Sequence, residues 1–515
     1  MQQTASDPTQ TVAAFLADPA THGGAAVERV ETHAAIVFLA GDRAYKLKRA
    51  VRYPYLDYST VERRRAACLE ELRLNRRTAP SLYLGVESVV RRADGALAFG
   101  GEEAKGGAVL DWLVAMRRFP QDALLDRVAE GGGLTDGLVR DLADAVTAFH
   151  RAAEPRPDGG GAAAMREVVE GNIAELRAAP FLFAPERVER LAGGSADALE
   201  RLTPLLEERR RSGFVRHCHG DLHLRNIVLL DGRPVLFDGI EFDERLAVID
   251  VAYDLAFLLM DLEQRGLRPL GNALLNRSLD ATGDLAALAL LPLFLSARAA
   301  IRAKVAAATA ALRCGGAAAQ SLEHEAAAYL DQALAALEPP PPRLVAVGGL
   351  SGSGKTRLAR ALAPALGAVP GAVVLRSDAL RKRLFGVGEA ERLPVDAYTP
   401  AVTERVYAGL LERARAVLAA GHAAILDAVH ARPEERSAAA RLAAEMGVQF
   451  DGFWLDAPLD TRVARIGSRR GDASDATAEV AERQEGYDIG PIDWLRMNAG
   501  RDAGETLAAA LERLV

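Results

Sequence analysis

One stretch constrains this chain more than any other: Gly349-Leu350-Ser351-Gly352-Ser353-Gly354-Lys355-Thr356. It follows an apolar, β-branched run, "RLVAVG", and opens a helical pattern, "KTRLARAL". A strand that turns through glycines straight into a helix aims successive backbone N–H groups, and the positive end of the helix, at one point. That point suits phosphate oxygens. In this setting Gly349, Ser351, Gly352, Ser353 and Gly354 form the cradle, Lys355 reaches the β- and γ-phosphates, and Thr356 offers a hydroxyl to Mg²⁺. From here to the C-terminus strand-like and helix-like runs alternate, which predicts a parallel sheet wrapped by helices.

The stretch "LEPPPPRL" lies just upstream. Consecutive prolines fit neither a helix interior nor a central strand, so residues 338–342 read as a stiff spacer. They separate residues 1–337 from residues 343–515. A chain of 515 residues is in any case too long for one core. The net charge of −7 argues against a general binder of nucleic acid or anionic membrane. Cys68, Cys218 and Cys314 are far apart and form no CxxC pair, so neither a disulfide framework nor a cysteine metal site is supported. No secretory leader is visible at "MQQTASDPTQ", and the most apolar run, Leu285–Leu295, is too short to span a bilayer and reads as a buried helix. A cytoplasmic location is expected.

Residues 1–118 read as a small, sheet-rich lobe. "AAIVFLAGDRAYKLKRAV" is a pair of strands joined at Gly41-Asp42, and a second hairpin turns at Asp94-Gly95. Between them "STVERRRAACLEELRLNRR" is a charged helix capped by Ser59 or Thr60. Residues 119–337 are mostly helical, interrupted by glycine-rich loops.

Two segments of the C-terminal half end strands on carboxylates. "VVLRSDALR" places Asp378 where ligands collect in a parallel sheet, with Arg381 a turn later. Asp378 is positioned to take a proton from an attacking hydroxyl, and Arg381 to hold the acceptor. Asp427 ends "HAAILD" in the same way, for Mg²⁺ or for the acceptor. Arg462, Arg465, Arg469 and Arg470 lead into Gly471-Asp472, the composition of a lid that closes on transferring phosphoryl groups.

The N-terminal half carries a second constellation. "HGDLHLRN" sets Asp221 five residues before Asn226, and "VLFDGIEFD" brings Asp238 after a tight turn. A phosphotransferase needs a base near the acceptor hydroxyl and oxygen ligands for Mg²⁺, and Asp221, Asn226 and Asp238 supply them. On "RAYKLKRA", Ala44, Lys46 and Lys48 share one face. The constellation resembles the protein-kinase pattern, and that resemblance implies a phosphate lysine on this strand, Lys46 by its A-x-K spacing, with Lys48 second. It further implies an orienting carboxylate, Glu71, with Glu70 and Glu62 as alternatives on the same helix, and a hinge at "VAMRRFP" whose backbone, from Met116 to Arg118, meets adenine.

These motifs carry two resemblances. "HGDLHLRN", "DGIEFD" and "VAYDLAFLLMDLE" resemble the aminoglycoside phosphotransferase and choline kinase branch of the protein-kinase superfamily. In that branch an Asp after the metal strand supports the catalytic loop, a role for Asp250 or Asp254. "GGLSGSGKT", with SD-x-x-R and the ILDA strand, resembles small P-loop kinases of the polynucleotide kinase, zeta-toxin and gluconate kinase group. The pairing resembles the bifunctional aminoglycoside phosphotransferase/ATP-binding family. It implies an α+β, bilobal, protein-kinase-like domain followed by an α/β P-loop NTPase domain with a parallel sheet. It further implies ATP and Mg²⁺ as cofactors, and a small-molecule hydroxyl as acceptor, with no nucleic acid or membrane partner. The sequence departs from the kinase pattern in two places. No GxGxxG precedes the lysine strand, and DGIE replaces DFG.

Overall fold

The computed structural model describes residues 8–32, 34–53, 56–100, 107–313, 316–388, 391–468, 474–500 and 502–514. Packing divides the chain into two compact units, Met1–Met165 with Pro204–Leu258, and Arg166–Thr203 with Leu259–Val515.

The first unit is built on a six-stranded sheet ordered Val27–Glu31, Ala35–Ala40, Arg43–Lys48, Ala108–Arg117, Tyr83–Arg91, Leu97–Phe99. All its neighbours run antiparallel. Alternation along Arg43–Lys48 explains how the sheet divides its labour. Tyr45 and Leu47 point to one side and pack with Phe38, Leu113 and the helix Pro8–Ala17 through Val12 and Leu16. Ala44 lies on the other side, with Leu39, Val114, Met116 and Cys68 of the helix Val61–Asn75. Lys46 and Lys48 share that second side. Thr60 caps this helix, its hydroxyl accepting from Arg63 N at 3.3 Å.

Three features of this unit shape the region around Asp221, Asn226 and Asp238. The hairpin Ile227–Leu230 with Arg233–Leu236 turns at Asp231-Gly232, both with positive φ, and pairs Ile227 with Leu236. It therefore starts just after Asn226 and ends just before Asp238. The short ladder Val215–His217 with Val248–Asp250 leads into residues 218–221. The helix Asp136–Ala152, capped by Thr135, buries Val139, Leu142, Val146 and Phe149 along one face.

The second unit contains a five-stranded parallel sheet ordered Val373–Arg376, Ala424–Asp427, Arg343–Gly348, Gln449–Asp456, Leu495–Asn498. The strands Val373–Arg376, Ala424–Asp427 and Arg343–Gly348 are nearly continuous apolar runs and almost wholly buried, as in a sheet covered on both faces. Val345, Val347, Ile425 and Phe453 pack with Leu358 and Leu362 of the helix Lys355–Leu362. The outer edge at Val373–Arg376 is closed by side chains. Asn276 accepts from Val374 N at 2.7 Å, and Asn272 and Asn276 donate to Ala372 O at 3.0 and 3.2 Å. Both belong to the helix Arg268–Thr282. Of the apolar run, Leu285–Leu290 is a 3₁₀ turn and Leu291–Ala311 a helix with Pro292 in its first turn. Together they are long and apolar enough to cross a membrane, yet 67% of their most apolar window is buried in the protein.

Candidate active sites

In the first unit Lys46 Nζ donates to Glu71 Oε1 at 2.8 Å and to Asp238 Oδ1 at 2.6 Å. Burial alone would depress the lysine pKa, but Asp238, Glu71 and Glu241 overcome it and hold the ammonium protonated well above its usual range. Glu71 is fully buried. Burial opposes its ionisation, and the two lysines beside it outweigh that and lower its pKa. Of the three glutamates on the helix, Glu70 instead pairs with Arg73 on the surface. Lys48 meets the second oxygen of Glu71 at 2.6 Å and also pairs with Glu241.

Asp221 and Asn226 also meet. The Asn226 amide donates to Asp221 Oδ2 at 2.8 Å and to its backbone oxygen at 3.0 Å, and His223 Nε2 lies 3.3 Å from the same Oδ2. The loop is held from below by Asp254, which accepts from His219 N at 3.2 Å, Gly220 N at 2.9 Å and His150 Nε2 at 2.9 Å. Asp250 has a different job, a buried pair with Arg209 at 2.7 and 2.8 Å. Gly220 has φ +84, and a Cβ there would lie 2.9 Å from Leu246 O. This accounts for HG-D in place of HRD: no side chain fits. Asp238 has φ +60, a strained value for a non-glycine residue. It is fixed by Tyr83, whose hydroxyl accepts from Asp238 N at 3.1 Å, and by Asn75, which accepts from Gly239 N at 2.7 Å.

The expected hinge is altered. Arg117 N donates to Leu82 O and Arg118 N to Asp42 O, each at 2.8 Å. Those two N–H groups extend the pairing of this central strand with its neighbours and are spent there, so Arg117 and Arg118 offer no free N–H to adenine.

In the second unit Gly349, Gly352 and Gly354 have φ of +134, +85 and +102. A Cβ on Gly349 would lie 2.6 Å from Leu455 O, and one on Gly352 2.5 Å from Arg462 O. The backbone N–H groups of Gly352, Gly354 and Thr356 donate to no atom of the described residues. Ser351 N is taken by Gln484 Oε1 at 2.7 Å, and Ser353 N by Leu350 O at 3.1 Å. Lys355 Nζ lies across the loop on Leu350 O at 3.2 Å. Thr356 Oγ1 donates to Asp427 Oδ2 at 2.6 Å, so two predicted Mg²⁺ residues from separate segments meet. Arg376 Nε stands 3.7 Å from the same Asp427 oxygen.

Asp378 is half-buried, and desolvation raises its pKa against the opposing hydrogen bond from Ser474. A carboxylate raised in this way is a better proton acceptor. Arg381 is buried over the Tyr398 ring and donates to Ala397 O and Thr403 Oγ1. No carboxylate pairs with it among the described residues.

The predicted lid separates into parts. Arg469 and Arg470, with Gly471-Asp472, lie outside the described residues. Arg462 is a correction: it is buried, pairs with Glu485 and donates to Ser351 O, so it braces the glycine loop instead of moving with a lid. Arg465 likewise donates to Ser353 O. Asp475, just beyond, is held by Tyr398 OH, Leu393 N and Lys382.

Sequence reasoning missed Glu241, Tyr58, Asn75, Gln484 and Arg376. Only Asn75 had a readable signal, one helical turn after Glu71.

Residues 61–291 match the model of the "Phosphotransferase enzyme family", and residues 344–487 match that of an "AAA domain". Uncharacterized proteins of Mycobacterium tuberculosis and Mycobacterium bovis are 33% identical over 482 residues, covering 89% of this chain and 90% of theirs. The chain belongs to the bifunctional aminoglycoside phosphotransferase/ATP-binding family. As a member it is a kinase-type phosphotransferase with a kinase-like part and a P-loop part. Among solved structures, an amicoumacin kinase is 15% identical, covering 62% of this chain and 93% of its own, with a TM-score of 0.39. An APS kinase of Mycobacterium tuberculosis is 24% identical, covering 34% of this chain and 98% of its own, with a TM-score of 0.26.

Proposed function

We propose that both halves of this family member are separate Mg²⁺-dependent sites that transfer the γ-phosphate of ATP to hydroxyl groups of small molecules. The observation that carries the reading is the meeting of Lys46 with Glu71 and Asp238. Lys46 and Asp238 lie 192 positions apart in the chain, and both ends of this contact were picked from motifs.

The residues fit the metal. Asn226 and Asp238 in the first unit, and Thr356 and Asp427 in the second, are oxygen donors, the type Mg²⁺ takes. Bound there, Mg²⁺ would neutralise phosphate charge. In the first unit Lys46 holds the α- and β-phosphates, Glu71 keeps Lys46 in place, and Asp221 takes the proton of the acceptor hydroxyl. In the second, the free N–H groups of the glycine loop and Lys355 hold the phosphates. There Asp378 takes the proton and Arg381 holds the acceptor.

The test uses γ-labelled ATP and a metabolite extract, with wild type, Asp221→Ala and Lys355→Ala side by side. Two labelled products, each lost in a different variant, support the reading. No transfer affected by either variant defeats it.

A second reading has an observation of its own. The strands Val27–Glu31 and Ala35–Ala40 stand where a glycine-rich grip on phosphate is expected, and their sequence lacks it. On that reading the first unit binds nucleotide without chemistry and regulates the P-loop kinase. One product, lost only in Lys355→Ala, supports it. Transfer to a 5′-hydroxyl oligonucleotide belongs to the same test, and the acidic chain predicts none.

A further inference from the structure

Two lysines reach one buried glutamate in the first unit, and only one of them is accounted for by nucleotide binding. Lys46 and Lys48 project from the same side of their strand and take opposite oxygens of Glu71, at 2.8 and 2.6 Å. Lys46 is partly open, and its other partner is Asp238, whose side chain is 42% exposed. Lys48 is closed off, at 1% exposure. Its second carboxylate is Glu241, three residues beyond Asp238 on the same loop. The Tyr58 hydroxyl completes the cluster, donating to Glu241 Oε1 at 2.8 Å and lying 3.3 Å from Lys48 Nζ. The cluster thus ties together three separate segments: the lysine strand, the helix of Glu71, and the loop that carries Asp238.

A closed-off ion pair of this kind is poor value as a source of stability, because desolvation offsets most of its attraction. Its geometry has another consequence. When Lys46 turns from Asp238 to a bound phosphate, Lys48 still has two carboxylates and still joins the loop to Glu71. Asp238 sits at a strained φ of +60 and needs such support.

We infer that Lys48 and Glu241 are a positioning pair that sets the Asp238 loop for Mg²⁺, occupying the place of the residues that follow Asp in a DFG motif. The inference rests on the reading of the first unit as a Mg²⁺–nucleotide site. Neither residue touches the metal or the phosphates. Their effect passes through Asp238 and Glu71.

The test measures binding of a fluorescent ADP by the full chain, with and without Mg²⁺. Every sample carries Lys355→Ala, so that the glycine loop contributes little. Asp238→Ala in that background defines the signal of the first site. If Asp238→Ala leaves the Mg²⁺ dependence unchanged, the reading of the site itself fails, whatever Lys48 does. If Asp238 matters, Lys48→Met and Glu241→Gln should each raise the Mg²⁺ needed for half-maximal binding about tenfold, the scale of residues that orient metal ligands. Binding without Mg²⁺ should change less than about twofold, and the double variant should be no worse than either single one, since both break one link. Equal losses with and without Mg²⁺, or an unchanged Mg²⁺ requirement in folded Lys48→Met protein, overturn the inference. Circular dichroism reports folding. Should both single variants fail to fold, Tyr58→Phe decides, since it removes one hydroxyl from Glu241. A rise of about threefold in the Mg²⁺ requirement supports the pair, and none overturns it.

Discussion

The two candidate sites of this chain hold their charges by opposite means. In the first unit, side chains from distant segments neutralise one another: two lysines and three carboxylates, with Glu71 at the centre. In the second, the backbone does the holding. Glycines with positive φ bend one loop so that the N–H groups of Gly352, Gly354 and Thr356 stay unspent, and Arg462 and Arg465 steady that loop through its carbonyls. A site made of ion pairs is vulnerable to the loss of any one charge. A site made of backbone is vulnerable to the gain of a single methyl group.

That contrast is open to direct attack. The largest effects should come from Lys46→Met and Gly352→Ala. The first removes the bridge between Glu71 and Asp238 and should lower turnover of the first site about a thousandfold, leaving the second untouched. The second puts a Cβ 2.5 Å from Arg462 O at a positive φ. It should cut nucleotide binding at the glycine loop by about a hundredfold or more, with the first site unaffected. Binding and turnover measured separately for each product check both. If either substitution silences both sites, the sites are not independent.

Next in size is the buried pair of Arg209 and Asp250. Arg209→Met strands a carboxylate in the interior and should destabilise the first unit by about 3–5 kcal/mol, read by denaturant unfolding. Acid should act on the second unit through His422, whose Nε2 donates to Leu288 O and which is otherwise enclosed. Burial lowers its pKa from 6.5 to about 4. The unfolded chain therefore binds the proton first. The stability is fully present above pH 6.5 and is lost as pH falls toward 4, about 3 kcal/mol in all. Unfolding curves at pH 7 and pH 4.5 should show this for wild type and a weaker dependence for His422→Gln. The smallest effect should be Thr60→Ala, about 1 kcal/mol from loss of the cap on the helix that carries Glu71.

The same contrast explains what could be read in advance. A site made by one continuous loop is written in consecutive letters, so Gly349 to Thr356 and the alternation after them were legible, as was the close spacing of Asp221 and Asn226. A site made by distant pairing is not. Glu62, Glu70 and Glu71 share one charged helix, and only the position of Lys46 and Lys48 across the interface singles out Glu71. Tyr58 and Glu241 are 183 residues apart, and nothing in the letters between them implies a shared proton. The donors of Arg117 and Arg118 looked available to a ligand because a strand end leaves N–H groups open. Their use by Leu82 and Asp42 depends on how the sheet closes.

Asn272 and Asn276 also bear on how the second half can be studied. The prolines at 339–342 invite a cut there, yet both asparagines lie upstream of it. A fragment starting at Arg343 would keep all five strands and lose the amides that occupy Val374 N and Ala372 O. A bare strand edge is a template for another chain. Such a fragment would be prone to self-association even with its glycine loop intact, and its poor behaviour in solution would say nothing about its chemistry.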